Sequence, residues 1–347
     1  MTEATPRRPG EQPEASEPVP TPHEVEVVRE TSPPSTQVPG DAEAGRDAAS
    51  LTAAYEQGLH LEARSQWQLA RRRFFRHKLA IASLIILALL FGAAIFAEQI
   101  TTYEYSEQDF ANASVGPTFE GNHFFGTDQL GRDYFTRVVF GIRTSARVAF
   151  LVAFLSTIAG TIIGAISGYF GGWVDNLLMR MTDLVLTLPP LAVLLVASAL
   201  LGQGSPYRVA IILAALYWTT LARIVRGTFL SLREKEYVEA AKALGASDFR
   251  IMFRHMLPNA MGPIVVNATL VVAIAILVEA VLSFLGFGVQ PPTPALGTLI
   301  SKGAGLVSQW WLVTFPGLTI VLICLCINFI GDGLRDALDP TQRRASA

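Results

Sequence analysis

The sequence predicts an all-α membrane protein with six transmembrane helices. Of its 347 residues, 51% are hydrophobic and 16% are charged, which is more apolar and less charged than a typical soluble protein. Six apolar runs follow one another, most with about the length that a bilayer span needs. The Lys and Arg residues gather mainly on one side of those runs, as the positive-inside rule requires.

Residues 1–63 form a distinct N-terminal region. Residues 1–60 carry 11 acidic residues against 4 Lys or Arg, and they hold 9 of the 20 prolines. Such a composition buries too little apolar surface to offset the entropy of ordering the chain. We therefore predict a disordered cytoplasmic tail over 1–63 that acts as a solvated linker, with a docking or phosphorylated tail as the alternative.

Residues 64–98 are predicted to hold a basic juxtamembrane segment and the first transmembrane helix. The apolar run covers residues 79–97 and contains no charge. Basic residues precede it, and they place that side in the cytoplasm. They are Arg64, Arg71, Arg72, Arg73, Arg76, His77 and Lys78.

Residues 99–147 are then predicted to form an extracytoplasmic loop. Within it, Thr127 is expected to cap a helix that has Asp128 in its first turn and runs towards Arg147. This helix would lie in the membrane interface with snorkelling arginines, or it would be a docking surface for an external partner. The sequence leaves both open.

Residues 148–334 are predicted to form the core domain with five transmembrane helices, and 335–347 a cytoplasmic C-terminal tail. A short charged connection at 170–183 separates the first two of these five helices. With the N-terminus inside, residues 225–260 are cytoplasmic. The predicted spans cover 148–169, 184–201, 209–224, 261–287 and 312–330.

The longest charged stretch between apolar runs, residues 233–259, is called the charged segment here. The residues from 237 to 244 lack Gly and Pro and favour a helix, and Gly245 is expected to end it. Ser247 is expected to cap a second helix with Asp248 in its first turn, and Pro258 to end that helix.

This second helix has an apolar face formed by Phe249, Met252, Phe253 and Met256, at i, i+3, i+4 and i+7. The face docks either on a separate subunit or on the protein's own membrane base. The sequence contains no G-x-x-x-x-G-K-[ST] phosphate loop, H-E-x-x-H or G-x-S-x-G motif. We therefore expect no catalytic residue and no metal site, and an energy-supplying subunit that is a separate protein.

Three polar residues inside the fifth apolar run are candidates for the transport pathway, namely Asn267, Glu279 and Ser283. An acid at membrane depth is a functional hypothesis by default, because its burial must be offset by a partner or by water. The alternatives are that Glu279 caps a broken helix or pairs with an Arg, and that Asn267 bridges two helices.

Several motifs resemble those of bacterial ABC importer permeases. Glu239-Ala240-Ala241, Gly245 and Leu257-Pro258 are similar to the EAA loop of that family, although His255 stands where the family often has Ile. A second motif lies in the predicted extracytoplasmic loop and is called the loop motif here. It is similar to the signature of the C-type permease of dipeptide, oligopeptide and nickel importers. Its residues are Gly126, Thr127, Asp128, Gly131, Arg132 and Asp133. Residues 282–288 and 328–340 resemble the same family.

The resemblance implies a type I ABC importer permease fold in a bacterial inner membrane, with both termini cytoplasmic. It implies a sister permease, two ATP-binding subunits that hold ATP and Mg, and an extracytoplasmic substrate-binding protein, besides membrane lipid. It implies no nucleic acid, and no cofactor bound by this chain.

In the family, the helix after Gly245 inserts into a groove of the ATPase, so residues 247–256 are expected to be the coupling helix. The residues implied in ATPase coupling are Glu239, Ala240, Ala241, Gly245, Ser247, Asp248, Phe249, Met252, Phe253, His255, Met256, Leu257 and Pro258. Peptides are the expected cargo, with nickel chelates, glutathione or another small solute as alternatives. An ion-gradient-driven carrier and a membrane scaffold are the alternatives of another class.

Overall fold

A computed structural model describes residues 71–202 and 204–338, so the predicted N-terminal tail and most of the C-terminal tail lie outside the described residues. In the described part the chain is helical, and extended pairing is limited to two isolated bridges. The helices are α1 Lys78–Ile95, α2 Ala97–Ile100, α3 Tyr134–Phe170, α4 Gly172–Thr187, α5 Pro190–Leu201, α6 Pro206–Arg233, α7 Glu236–Ala243, α8 Asp248–Arg250, α9 Leu257–Phe284, α10 Leu296–Gly303 and α11 Trp311–Leu338.

Five helical stretches in the described part are long and apolar enough to cross a membrane. They are α1, α3, α6, the continuous stretch Asp248–Phe284 that contains α9, and α11. The pair α4 and α5 passes the same test together but bends by 87° at its break. The all-α membrane fold is thus confirmed, with six spans if the bent pair crosses as one.

The third helix begins later than predicted and is longer. Asp133, and not Thr127, is its N-cap, because the Asp133 carboxylate accepts a hydrogen bond from the Thr136 N–H at 2.8 Å. Gly131 has a left-handed φ of 72° and interrupts any helix that starts at Thr127. The predicted interfacial helix up to Arg147 is therefore the first part of one 37-residue helix.

Most of the connection predicted at 170–183 is helical, since α4 covers Gly172–Thr187. The run predicted as one span over 184–201 is split at Leu188, which has an extended ψ of 139°. Pro189 explains the break, because a proline disfavours the helical conformation of the preceding residue. The 12 residues of α5 cover about 18 Å, less than the hydrocarbon thickness of about 30 Å.

Pro258 does not end a helix, contrary to the sequence prediction. It is the second residue of α9, and a π-helical turn over Ile251–Met256 joins α8 to α9. In this turn the Leu257 N–H donates to the Met252 carbonyl, five residues back. This change in the backbone hydrogen-bond register lets Pro258 follow without interrupting the helical path. The Asn259 side-chain amide donates to the exposed carbonyl of His255 at 2.7 Å.

The buried apolar residues form two separate clusters. The larger one takes residues from α1, α3, α5, α6, α9, α10 and α11. The smaller one joins the last turns of α3 and the second half of α6 to α7, the π turn and the start of α9. The charged segment is therefore packed on the membrane helices and is not a detached loop.

Candidate functional site

The first half of the charged segment is a short helix with a complete left-handed cap. Gly245 has φ 80°, its N–H donates to Lys242 O at 2.9 Å, and the Ala246 N–H donates to Ala241 O at 3.1 Å. This pair of bonds is a Schellman motif, which turns the chain sharply after α7. The predicted role of Gly245 as the residue that ends this helix is confirmed.

Tyr169, at the end of α3, fixes the position of the second half. Its hydroxyl donates to the Asp248 carboxylate at 2.5 Å, and the Lys242 ammonium lies 5.6 Å from the centre of its ring. The Arg233 guanidinium donates to its backbone carbonyl at 3.2 Å. Tyr169 therefore ties α6, α7 and α8 to one membrane helix. No local sequence pattern marks this residue, because its partners are distant in sequence.

The apolar face predicted over residues 249–256 is divided between two directions. Met252 and Met256 are buried in the smaller cluster, beside Ile251. Phe249 and Phe253 are 70% and 49% exposed, and their rings stack with centroids 4.3 Å apart. The two methionines thus hold the segment to its own membrane base, while the two phenylalanines remain on the surface.

The other predicted coupling residues lie mainly on the same surface. Glu239, Ala240, Ser247 and Pro258 are exposed, Ala241 is buried, and His255 and Leu257 are half-buried. Leu244 is 88% exposed, which is unusual for a leucine beside a tight turn. Burial raises the pKa of the Tyr237 phenol, whose oxygen lies 3.4 Å from the Asn259 amide.

A half-buried ion pair holds α4 against α6 near the charged segment. The Arg226 guanidinium donates to both carboxylate oxygens of Asp175, at 2.5 and 2.6 Å, and the Ser167 hydroxyl donates to the same carboxylate. A second pair, Arg223 with Asp183, is about half exposed at each side chain. Since a bidentate pair is directional, the first one fixes the angle at which α4 leaves α3.

Two of the candidate pathway residues lie inside the helix packing. Glu279 is fully buried, and its carboxyl group accepts hydrogen bonds from the hydroxyls of Ser145 on α3 at 2.7 Å and Ser283 at 2.6 Å. The Ser283 oxygen also accepts the Val289 N–H at 3.1 Å. Glu279 thus joins α3 to the last turn of α9 and to the chain that follows it.

The third candidate, Asn267, lines a cavity of about 430 Å³ near the other end of α9. Its Oδ1 is buried and has no hydrogen-bond partner, and Arg335 lines the same cavity. A small polar group therefore has a free acceptor and a guanidinium available there. Glu279 and Ser283 do not line this cavity.

The loop motif at 126–133 folds residues 99–133, the first loop, onto α11. The Thr127 hydroxyl donates to Asn112 O and accepts the Val115 N–H, while its carbonyl accepts the Trp311 indole N–H at 3.1 Å. Asp133 binds the buried His123 ring at 2.9 Å. Gly126 has φ 75° and no room for a Cβ beside Val115 O.

Arg132 and Asp128 form a pair within this motif, which also includes Gly131. The Asp128 carboxylate accepts from the Arg132 guanidinium and from the Leu130 and Arg132 backbone N–H groups. These contacts give Thr127, Asp128, Arg132 and Asp133 structural roles in the first loop.

Comparison with known families gives two matches. Residues 160–344 match the family described as "Binding-protein-dependent transport system inner membrane component". Residues 65–117 match "N-terminal TM domain of oligopeptide transport permease C". Together the two matches cover most of the chain after residue 64.

Several characterised proteins are similar over most of their length. The oligopeptide transport system permease protein OppC of Escherichia coli K12 is 44% identical over 290 residues, which cover 83% of this chain and 96% of that protein. The corresponding protein of Haemophilus influenzae is 46% identical over 286 residues, covering 82% and 92%. The dipeptide transport system permease protein DppC of Alkalihalophilus pseudofirmus is 43% identical over 283 residues, covering 80% and 91%.

Among solved structures, the MetNI methionine ABC transporter in inward-facing conformations matches with a TM-score of 0.44 and 18% identity, covering 58% of this chain and 96% of the matched chain.

Proposed function

Because this chain belongs to the family of inner membrane components of binding-protein-dependent transport systems, we propose that it is the C-type permease subunit of an ATP-driven peptide importer. The observation that carries the proposal is its identity of about two residues in five to peptide permeases over four fifths of the chain. In this proposal, it lines the translocation pathway together with a sister permease.

ATP is hydrolysed by two partner subunits, since this sequence has no phosphate-binding loop. The charged segment faces the cytoplasm and receives those subunits. Its exposed apolar side chains, Leu244, Phe249 and Phe253, are flanked by charged residues, which is the composition of a protein interface. A binding protein delivers the peptide on the extracytoplasmic side. ATP-driven closure of the ATPase partners then opens the pathway alternately to the two sides of the membrane.

The charged segment is suited to transmit movement because it is held rigidly at several points. The Schellman cap fixes α7 relative to α8, and Tyr169 and the buried methionines fix both to the membrane helices. A partner that moves Phe249 and Phe253 therefore moves the ends of α3, α6 and α9 as well.

The test is peptide uptake and ATP hydrolysis by the complete importer in proteoliposomes. Gly245→Asp places a side chain at φ 80°, and Glu239→Lys reverses an exposed charge. Each should lower peptide uptake per ATP hydrolysed at least severalfold, with the subunit inserted at wild-type levels. Lys78→Gln, at the start of α1, is a control that keeps the wild-type ratio.

Uptake of labelled peptide by this chain alone, without ATP or partners, would contradict the proposal and favour the gradient-driven carrier. Co-purification with ATPases that give no substrate-stimulated turnover would favour the scaffold. Uptake of nickel chelates or glutathione in place of peptides would contradict the proposed cargo and leave the proposed coupling to ATP hydrolysis unchanged.

A further inference from the structure

A cavity of about 330 Å³ lies between the first loop, the start of α3 and α10, at the opposite end of α3 from the charged segment. Its charged lining consists of three cationic side chains and one carboxylate, namely Arg132, Arg137, Lys302 and Asp128. None of the roles proposed above uses this cavity.

The cations in this cavity are not neutralised by the protein. The Asp128 carboxylate pairs with Arg132, and the Arg132 Nη2 lies 2.5 Å from the Asp128 Oδ2. Among the described residues, Arg137 and Lys302 have no carboxylate within ion-pair distance. The cavity therefore brings the Arg137 guanidinium and the Lys302 amine together with no carboxylate to pair with either.

Arg137 carries a buried hydrogen-bond donor that the described protein groups leave unused. It is 3% exposed, its Nη1 donates to Tyr105 O at 3.0 Å, and its buried Nε has no hydrogen-bond partner. A buried guanidinium with an unused donor is costly unless a ligand completes it. Arg137 lines the cavity, so an oxyanion there can accept from its guanidinium, which presents its donors in a fixed planar fork.

Lys302 adds another cationic side chain, on a flexible stem, to the cavity lining. Partial desolvation of its ammonium within the cavity, together with the nearby Arg137 and Arg132, lowers the pKa of Lys302, because both disfavour the protonated form. A bound anion relieves this repulsion. Three leucines, Leu299, Leu306 and Leu312, line the rest of the cavity and leave room for an apolar part of the ligand.

We propose that this cavity binds a single oxyanion, a carboxylate or phosphate group attached to a small apolar group, through Arg137 and Lys302. The Tyr134 hydroxyl is not a ligand, since it is occupied by the carbonyls of Leu299 and Leu312. Either a soluble carboxylate or the phosphate of a lipid headgroup satisfies this chemistry.

The experiment measures thermal unfolding of the full chain by tryptophan fluorescence, in detergent and at constant ionic strength. The probes are inorganic phosphate, N-acetyl-leucine and, as the uncharged match, N-acetyl-leucinamide. We expect saturable stabilisation by phosphate or N-acetyl-leucine and none by the amide. Lys302→Gln should raise the half-saturating concentration about tenfold, the effect of losing one charged hydrogen bond.

Arg143→Gln is the matched control. Arg143 lies on α3, as Arg137 does, but it pairs with Glu98 at 3.1 Å outside the cavity. It should bind the probes like the wild type. Nanodiscs of phosphatidylcholine, with or without phosphatidylglycerol, identify a lipid source. Stabilisation by phosphatidylglycerol alone, lost in Lys302→Gln, supports the lipid phosphate as the ligand.

The proposal is overturned if neither the soluble anions nor phosphatidylglycerol stabilise the protein, if the amide acts as well as the acid, or if Lys302→Gln responds like the wild type. Because Lys302 is an exposed residue of a short helix, its substitution leaves the fold intact.

Discussion

Glu279 shows what a single side chain does in this fold. It accepts hydrogen bonds from a hydroxyl on α3 and a hydroxyl on its own helix, and the second of these also holds the backbone after α9. Gly288 lies so close to Ser283 that any Cβ there would collide with the Ser283 hydroxyl. The carboxyl group therefore organises a tight turn as well as a helix contact.

Replacing Glu279 with Ala should destabilise the protein by about 1–3 kcal/mol, because it leaves the Ser145 hydroxyl buried without an acceptor. Glu279→Gln should cost less, since its amide oxygen and nitrogen can still bond to the two serines. Thermal unfolding of the purified chain measures both. Equal stability of Glu279→Ala and the wild type would show that the hydroxyls find other partners.

The sequence could identify Glu279 as a buried acid but could not identify its partner, because Ser145 is separated from it by 134 positions. Tyr169 illustrates the same limit. It is an ordinary interfacial aromatic in the sequence, and its role comes from a bond to Asp248, 79 positions away. Long-range pairings of this kind leave no local pattern.

Helices α3 and α6 pack along a stripe of glycines spaced four residues apart. These glycines, Gly160, Gly164 and Gly168, face the backbone of α6, and a Cβ at Gly164 would collide with Ala222 O and lie 2.8 Å from Val225 Cβ. Small residues at this spacing let two membrane helices approach closely. The spacing of these glycines is visible in the sequence, whereas the helix that packs against them is seen in the structure.

Gly164→Ala should therefore destabilise the protein by about 1–3 kcal/mol through overpacking. Gly227→Ala, on the facing helix, is the control, because a Cβ there meets nothing within 4 Å. It should be neutral or stabilising by up to about 1 kcal/mol, since Ala favours a helix over Gly. Chemical denaturation in detergent compares the two, and equal effects would rule out close packing as the cause.

The ends of the helices were harder to predict than their existence. The length and apolar content of the runs identified the five long spans, whereas the run at 184–201 belongs to a bent pair of helices. The sequence prediction also placed the start of α3 six residues early and a stop at Pro258. In both cases a local signal was overridden, by the loop contacts of Thr127 in the first and by the π turn in the second. Propensity describes isolated segments, and tertiary hydrogen bonds decide between competing caps.

At the scale of the whole molecule, α3 separates two chemically different ends. Its 37 residues cover about 55 Å, which exceeds a bilayer core of about 30 Å. The first loop and the cationic cavity lie at its first residue, and the charged segment at its last. We therefore expect these two ends to be exposed on opposite sides of the membrane.

Cysteine labelling in spheroplasts tests this arrangement. Cys324 and Cys326 are 7% and 3% exposed, so the native chain should give a low background. Glu120→Cys should react with an impermeant maleimide from outside, and Ser247→Cys after permeabilisation. The reverse pattern would invert the topology, and with it the placement of the ATPase partners.

The two apolar clusters are built from different sets of helices. Helices α3, α6 and α9 contribute to both, whereas α1, α5, α10 and α11 contribute to the larger one. These three helices therefore connect the two clusters, and the glycine stripe packs the last part of α3 against α6. Helices α3, α6 and α9 are thus the direct packing route from the charged segment to the larger cluster, and any displacement that reaches that cluster through the apolar packing must pass through them.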